Sequence, residues 1–435
     1  MQKRTTHAIV EQFDRPHFIV TIYAPTVFLS RAAIRNFLMT SISTLKIQDS
    51  NQSVLTPAMQ LLIDELCVIT SNPVVEAAYN DAIAHVAPYT ETGEANPWAG
   101  QTIDYFVDYF AAWFTFLPQP SGGLGKIVPF TYFYLNNEVA YAFLNTFKSR
   151  SESADSYTRE VFNWTVKFIK ARGEFMDSPA SLQYLDEWLA DPATQIDDFI
   201  VPEGGFKSFN AFFTRELNPN KNARPVAAPD DAGVLVASAD SEINFILSDL
   251  TLTQKMNVKT RQLNVLELLN QSEFAHHFEG GTAVSCVLMP GNYHRYHAPV
   301  TGQIVEGAGV PGIYNGITDG EHWFNQIFNV GESTTNFSVF EDFHRAYYII
   351  RTQAHGYVAV VPVGLNTISA LTPSLVGKSS TYVPPGGTPV PVIKGEELGH
   401  FAYGGSLNIL LFQKGVMTSV SVLMGSRLGT LGKPA

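Results

Sequence analysis

The sequence predicts an α+β protein in which an N-terminal helical domain, residues 1–200, precedes a β-rich domain, residues 201–435, of sandwich or barrel-like form. Three observations support this prediction. Apolar residues recur at helical spacing in the first half, short β-branched and aromatic runs fill the second half, and a turn-rich segment separates the two. That segment lies near residues 190–205, where Asp191-Pro192 and Pro202-Glu203-Gly204-Gly205 favour turns.

The first half carries apolar residues three and four positions apart, as amphipathic helices do. This spacing predicts helices over Gln60–Val68, Gln101–Phe116, Asn136–Phe147 and Ala154–Ala171. The segment 105–114 is strongly aromatic, which favours a helix buried against the second domain. The alternative is a docking site for a lipid or an aromatic substrate.

The second half contains short runs of β-branched and aromatic residues separated by Gly and Pro, a pattern typical of an all-β sandwich or barrel. The predicted strands are Val234–Ala237, Thr282–Met289, Arg345–Arg351, Tyr357–Val363 and Leu407–Phe412. The segment Ser374–Gly395 is rich in Pro, Gly and Ser and predicts a long loop before the final strands.

Composition narrows the possible functions. The 28 basic and 40 acidic residues give a formal net charge of −12, which argues against a nucleic-acid partner. Cys67 and Cys286 are the two cysteines, so neither a disulfide scaffold nor a cysteine-based zinc site is expected, and no metal is predicted.

No apolar run reaches the roughly 18–20 residues that cross a bilayer. A cytoplasmic protein is therefore the expectation. The alternative is that Phe18–Leu29, which follows Lys3, Arg4 and Arg15, belongs to a targeting segment; Glu11 argues against this.

Three segments of the β-rich half contain residues suited to chemistry: Ala237–Glu242, Gly291–Gly302 and the pair Gly405-Ser406. A serine that follows glycine can attack the preceding carbonyl, because glycine permits strained backbone conformations. Such an attack cuts the chain. The chain also contains Gly425-Ser426, which provides an internal comparison.

An Asp, a His and a Ser can form a catalytic triad, and Asp240, His297 and Ser406 are the candidates. His294 lies three residues before His297. Strict strand alternation would place these two histidines on opposite faces, so a shared site requires a local turn or bulge between them.

The order of these segments resembles that of the phosphatidylserine decarboxylase family. The corresponding elements are Phe-Asn-x-Phe-Phe-x-Arg at Phe209–Arg215, a small-residue segment ending in Asp240, Tyr-His-Arg-x-His-x-Pro-Val-x-Gly at Tyr293–Gly302, and the terminal Gly405-Ser406. The resemblance covers about residues 205–415. The Tyr-His-Arg-x-His motif is specific, and its pairing with a distal Gly-Ser makes coincidence improbable.

The resemblance implies that Ser406 becomes a covalent pyruvoyl group when the chain cuts itself between Gly405 and Ser406. It further implies that His297, oriented by Asp240, deprotonates Ser406, and that His294 donates a proton during decarboxylation; these two roles could be reversed. The two chains are expected to stay associated.

Two segments depart from the family pattern. Ser238-Ala239-Asp240-Ser241 replaces Pro-Ala-Asp-Gly around the aspartate, and Gly404-Gly405-Ser406-Leu407 replaces Leu-Gly-Ser-Thr at the cleavage site. A hydroxyl after the serine could donate a hydrogen bond or move a proton. Leu407 therefore predicts less efficient cleavage.

Three functions compete at this stage. Residues 1–200 resemble the N-terminal domain of soluble fungal relatives that decarboxylate free aromatic amino acids such as tryptophan. The favoured prediction is a pyruvoyl-dependent decarboxylase of a free, aromatic L-amino acid, with no nucleic-acid partner. The first alternative is decarboxylation of the phospholipid phosphatidylserine, and the second is an uncleaved Ser-His-Asp hydrolase or binding protein.

Overall fold

The computed structural model describes residues 55–86, 96–120, 130, 133–134, 137, 139–140, 156–252, 264–312, 344–365, 371–373, 382–402, 405–421 and 424. The described residues belong to one compact unit, and residues 1–52 lie outside them. The longer helices come first along the described chain and a mostly antiparallel β-rich region follows, so the predicted α+β class is confirmed. The predicted boundary at residue 200 stays a prediction.

The longer helices begin where a polar capping residue is followed by proline. The Thr56 hydroxyl accepts a hydrogen bond from the Met59 amide, and the Asn72 side chain accepts one from the Val74 amide. The helices are α1 Pro57–Thr70, α2 Pro73–Ala84, α3 Ile103–Phe114, α4 Ser156–Met176, α5 Leu185–Ala190, α6 Phe209–Phe213 and α7 Val265–Leu268. Short 3-10 helices lie at Pro179–Leu182, Pro192–Thr194, Ile196–Asp198 and Glu273–Phe278.

Three of the four predicted helices are confirmed, as α1, α3 and α4. The fourth, Asn136–Phe147, falls almost wholly outside the described residues. Helix α2 has no counterpart among the predicted helices.

The aromatic segment forms α3, and its rings are buried rather than displayed. Phe110 packs edge-on against Trp164 and Phe168 of α4, with ring centroids 4.9 and 4.8 Å away. The buried Arg172 of α4 donates a 2.7 Å hydrogen bond to the Trp113 carbonyl, at the end of α3 where helical carbonyls lack partners. The segment is therefore a core helix, and the lipid-docking alternative for it loses its basis.

The strands form two antiparallel sheets. Their bounds are β1 Glu242–Ser248, β2 Thr282–Leu288, β3 Arg295–His297, β4 Gly302–Val310, β5 Arg345–Arg351, β6 Tyr357–Leu365, β7 Leu371–Pro373, β8 Val390–Val392, β9 Glu397–Phe401 and β10 Gly405–Phe412. The larger sheet has the order β1-β2-β10-β6-β5-β4-β8, and the smaller has the order β3-β9-β7.

Strand β10 occupies the interior of the larger sheet, paired with β2 on one side and β6 on the other. Its side chains alternate between two separate hydrophobic clusters, as the pleat of a strand requires. One face carries Leu407, Ile409 and Leu411. The opposite face carries Ser406, Asn408, Leu410 and Phe412.

Several strand predictions hold and one is wrong. Strands β2, β5, β6 and β10 lie where apolar runs predicted them. Val234–Ala237 is not a strand: it is irregular, and its Val236 amide donates to the Pro299 carbonyl without continuing into a ladder. The larger sheet is open among the described strands, with β1 and β8 at its edges, so it does not close into a barrel.

Among the described residues no individual helix is both long and apolar enough to cross a membrane. The pair α1 and α2, bent by 95°, meets the length and composition criteria only when the two helices are taken together.

Candidate active site

Ser406 lies at the start of β10, opposite Leu288 of β2 and Gly364 of β6. Its side chain is 1% exposed, and its hydroxyl has no hydrogen-bond partner within the described part of the chain. Leaving a buried polar group unpaired is unfavourable, so native structures rarely do so without a functional reason. Ser406 is therefore a candidate for chemistry.

His294 is the second buried polar side chain without ordinary hydrogen bonds. It is fully buried, and neither ring nitrogen makes a hydrogen bond of normal geometry to a described residue. The Phe213 ring stacks on it with centroids 3.6 Å apart. Burial, reinforced by the positive charge of Arg215, holds the pKa of His294 well below its usual value. The imidazole is neutral at pH 7 and keeps one nitrogen lone pair.

Backbone hydrogen bonds place the histidine segment beside β10. The His294 carbonyl accepts a 2.9 Å hydrogen bond from the Phe401 amide, at the end of β9, and residues 402–404 connect β9 to β10. The His297 amide donates to the Ser238 carbonyl at 2.7 Å. The Ser238 hydroxyl in turn accepts a long, 3.5 Å hydrogen bond from Asn408, two positions after Ser406.

His297 has both ring nitrogens engaged. Its Nδ1 lies 2.8 Å from the Gly395 carbonyl oxygen, and its Nε2 lies 3.1 Å from the Tyr293 hydroxyl. A carbonyl can only accept, so Nδ1 carries the proton and Nε2 accepts from Tyr293. Burial lowers the pKa of His297 and raises that of Tyr293, which keeps the imidazole neutral and the phenol protonated. This tautomer presents a lone pair on Nε2.

Asp240 does not make the predicted contact with His297. Its carboxylate instead receives hydrogen bonds from Arg224, whose Nε lies 3.0 Å from both oxygens and whose Nη2 lies 2.8 Å from one of them. Arg224 also contacts Asp198 at 2.8 Å. The negative charge of Asp240 acts on His297 through space, raising its pKa, as a minor influence beside burial.

The orientation of His297 therefore depends on the backbone at Gly395, not on a carboxylate. Gly395 has φ +85°, a conformation that favours glycine, and a Cβ at this position would collide with the Val226 side chain. The described site contains no continuous Ser406–His297–Asp240 hydrogen-bond chain.

Two arginines connect the Phe209–Arg215 segment to the histidine segment. Arg295 donates to the Thr214 carbonyl at 2.7 Å and to both oxygens of Glu397 on β9, at 2.9 and 3.1 Å. Arg215 donates to the Gly291 carbonyl at 2.8 Å. Burial lowers the pKa of Arg215 to about 10, so it remains charged at neutral pH. These contacts hold Phe213 against His294.

Leu407 faces away from the Ser406 hydroxyl, and the less efficient cleavage predicted from it stays a prediction. Its side chain is fully buried in the cluster on the far face of β10 from Ser406. Strand alternation therefore directs any side chain at this position away from the Ser406 hydroxyl. The loss of a hydroxyl at position 407 does not remove a group from the Ser406 side of the sheet.

Sequence reasoning did not assign roles to Tyr293, Gly395, Phe213 or Arg224. Phe213 and Tyr293 lie within the motif segments, whereas Gly395 and Arg224 lie outside them. A signal existed for Gly395, because an isolated glycine before a strand often marks a left-handed backbone.

The internal comparison pair Gly425-Ser426 lies outside the described residues. Within those residues no group of three or more His, Cys, Asp or Glu side chains is arranged to hold a metal.

Comparison with known proteins matches this region to one family. Residues 209–430 match the family model of phosphatidylserine decarboxylase. The chain is 29% identical to a phosphatidylserine decarboxylase proenzyme of Fusobacterium nucleatum over 56% of its own length and 72% of the relative's. It is 31% identical to phosphatidylserine decarboxylase proenzyme 3 of Schizosaccharomyces pombe over 56% of its own length and 23% of that longer protein. It is also similar to proenzyme 2 of Oryza sativa, at 29% identity over 56% of its own length and 35% of the relative's.

Gly395→Ala should slow any chemistry that depends on His297, because the added Cβ contacts Val226 and moves the carbonyl that holds Nδ1. The matched control is Gly386→Ala. Gly386 has φ +71°, but an added Cβ there would meet no atom within 4 Å, so the control carries only the backbone strain of about 1–2 kcal/mol. We expect the rate of chain cleavage, measured by gel electrophoresis, to fall about tenfold in Gly395→Ala but not in Gly386→Ala. Equal rates in the two variants would contradict the role of Gly395.

Proposed function

Because the chain belongs to the phosphatidylserine decarboxylase family, we propose that it cuts itself between Gly405 and Ser406 and then decarboxylates phosphatidylserine. The observation that supports this most directly is the buried, unpartnered hydroxyl of Ser406, directly after a glycine and beside the histidine segment. The family match confirms the resemblance and the enzyme class predicted from the motifs, a decarboxylase. The relatives' names describe proenzymes, which supports the proposed processing and the proposed pyruvoyl group at residue 406.

The substrate proposal differs from the one favoured by the sequence. The relatives named above are phosphatidylserine decarboxylase proenzymes, and none of their names mentions a free amino acid. The prediction of a free aromatic substrate rested on the helical half, which precedes the matched residues 209–430. The phospholipid alternative is therefore the better-supported substrate. Cytoplasmic localisation stays a prediction.

Self-cleavage begins with the Ser406 hydroxyl. Its oxygen attacks the Gly405 carbonyl carbon, the peptide C–N bond breaks, and the chain becomes an ester at Ser406 with a free amine. Removal of the α-proton of residue 406 then expels the Gly405 carboxylate, which leaves a dehydroalanine. Water replaces the amine nitrogen, which leaves as ammonia, and residues 406–435 begin with a pyruvoyl group. Every step needs proton transfer and no oxidant.

His297 is the proposed base for the attack. Its Nε2 holds the lone pair, and the Gly395 carbonyl fixes the required tautomer. The Tyr293 hydroxyl occupies that lone pair at 3.1 Å and has to turn away before Nε2 can take the Ser406 proton. Asp240, held by Arg224, favours the protonated imidazole through its charge.

The site fits a group that replaces the Ser406 side chain. The hydroxyl it would replace makes no hydrogen bond, so its conversion breaks no structural contact among the described residues. Once formed, the pyruvoyl group supplies an electron sink for loss of carbon dioxide. His294, which burial keeps neutral and which makes no ordinary hydrogen bonds, is the proposed proton carrier: its free nitrogen lone pair takes up a proton, and the imidazolium so formed delivers it to the substrate carbon.

The fold explains how the cut chains could stay together. The second chain would contain residues 406–412 of β10, and Leu407–Phe412 would remain paired with β2 on one side and β6 on the other. Its Leu407, Ile409 and Leu411 are buried in the core. Burial of apolar side chains contributes about 1.5–3 kcal/mol each, so these contacts favour association.

Intact mass measured after denaturation tests the cleavage. We expect two species from the native chain, residues 1–405 and a pyruvoyl-capped chain of residues 406–435. Ser406→Ala should give one full-length species, because it removes the attacking oxygen. Ser426→Ala is the control and should be processed like the native chain. Scission of Ser406→Ala at Gly405 would disprove the assignment.

Two single substitutions separate the histidines. His297→Ala should leave the chain uncut, whereas His294→Ala should be processed but decarboxylate at least about 10²-fold more slowly, a typical loss for an acid–base group. Cleavage is followed by mass and turnover by release of labelled carbon dioxide. The opposite pattern, with His294→Ala uncut and His297→Ala processed, would reverse the two roles.

Separate assays with a phospholipid and with free amino acids test the proposed substrate specificity. The processed protein is given phosphatidylserine in detergent micelles, or free tryptophan, tyrosine or phenylalanine, and carbon dioxide is measured. We expect the phospholipid to exceed each free amino acid at least tenfold in kcat/KM. Faster release from an aromatic amino acid would favour the substrate predicted from the sequence and leave the cleavage proposal intact.

A further inference from the structure

A cavity of about 530 Å³ lies against the same face of the larger sheet as Ser406. Its floor includes Val284, Leu410 and Phe412. Two irregular segments, residues 232–239 and 416–421, form further walls. Its size falls in the range of about 300–1,000 Å³ that is usual for ligand sites, and most of its lining side chains are aliphatic.

Strand β10 connects this cavity to the cleavage site. Side chains at 406, 408, 410 and 412 share one face, and a strand rises about 3.3 Å per residue, so Leu410 lies about 13 Å from Ser406 along the strand. The order along the face is a reacting serine, a buried asparagine, and then the apolar cavity. Asn408 Oδ1 has no hydrogen-bond partner among the described residues.

The same order occurs in a phospholipid whose head group is serine: the reacting amino acid, a polar phosphoglycerol, and an apolar acyl chain. We propose that the cavity binds an acyl chain of the phospholipid substrate while its serine reaches residue 406. This inference rests on the proposed function. It assigns the Val234–Ala237 segment, irregular where a strand was expected, to the wall of a lipid site.

The position of the cavity also relates binding to processing. One wall, residues 416–421, belongs to the chain that begins at residue 406, and the other, residues 232–239, belongs to the chain that ends at residue 405. The acyl site would therefore be shared between the two products of cleavage. Loss of either segment would open the cavity.

Substitutions that fill the cavity from its exposed rim test the proposal. Ala237 and Ser419 are exposed residues on its two walls, so Ala237→Phe and Ser419→Phe add volume without removing core packing. Ala180→Phe is the control, because Ala180 is exposed but does not line the cavity. Using two variants on different segments guards against misfolding of one. Cleavage is measured for each by intact mass.

Two readouts separate this proposal from the proposed function. The first is kcat/KM for dioleoyl and for dibutyroyl phosphatidylserine in the same detergent. The second is binding of the fluorescent fatty acid cis-parinaric acid to the processed protein, which requires no activity. We expect both filling variants to lose about tenfold on the dioleoyl lipid, less than twofold on the dibutyroyl lipid, and at least fivefold in probe affinity. Ala180→Phe should match the native protein.

Equal losses on the two lipids, or probe binding unchanged by both filling variants, would overturn the acyl site and leave phosphatidylserine decarboxylation standing. Absence of activity on either lipid, together with probe binding that both filling variants weaken, would overturn the proposed substrate and support the cavity as an acyl-chain site.

Discussion

The alternation of side chains along β10 is the constraint on which the site depends. This strand lies inside the larger sheet, and its odd-numbered residues from Leu407 to Leu411 fill one hydrophobic cluster. The pleat then obliges Ser406 and Asn408 to face the other cluster, where water is excluded. Shifting the register by one residue would exchange these faces and place Leu407 where the serine now lies. Apolar packing on one face thus positions Ser406, the proposed nucleophile, on the other.

The second requirement is that residues distant in sequence hold the histidine segment against this face. Arg295 joins Thr214 to Glu397, and Arg215 binds the Gly291 carbonyl. Guanidinium groups suit this task because their planar donors reach several acceptors at once. The result is a neutral, enclosed His294 stacked on Phe213. Such burial lowers the pKa of the imidazole and keeps the ring neutral at pH 7, with one nitrogen lone pair available to accept a proton.

The arrangement around His297 differs from a triad in one respect. The Gly395 carbonyl selects the tautomer, a role that a carboxylate plays in serine proteases. A carbonyl orients the ring without adding a full negative charge, so burial still keeps the imidazole neutral. Asp240 acts from a distance, and Arg224 neutralises much of its charge.

Local pattern in the sequence determined much of this protein: the α+β class, helices α1, α3 and α4, strands β2, β5, β6 and β10, and the segments that carry Ser406, His294, His297 and Asp240. These follow from apolar periodicity and from motif order, which neighbouring residues encode. Only the tertiary structure decided that Asp240 pairs with Arg224, that Gly395 holds His297, and that Val234–Ala237 lines a cavity instead of forming a strand. Those outcomes depend on contacts between residues far apart in the chain, and no local spacing specifies them.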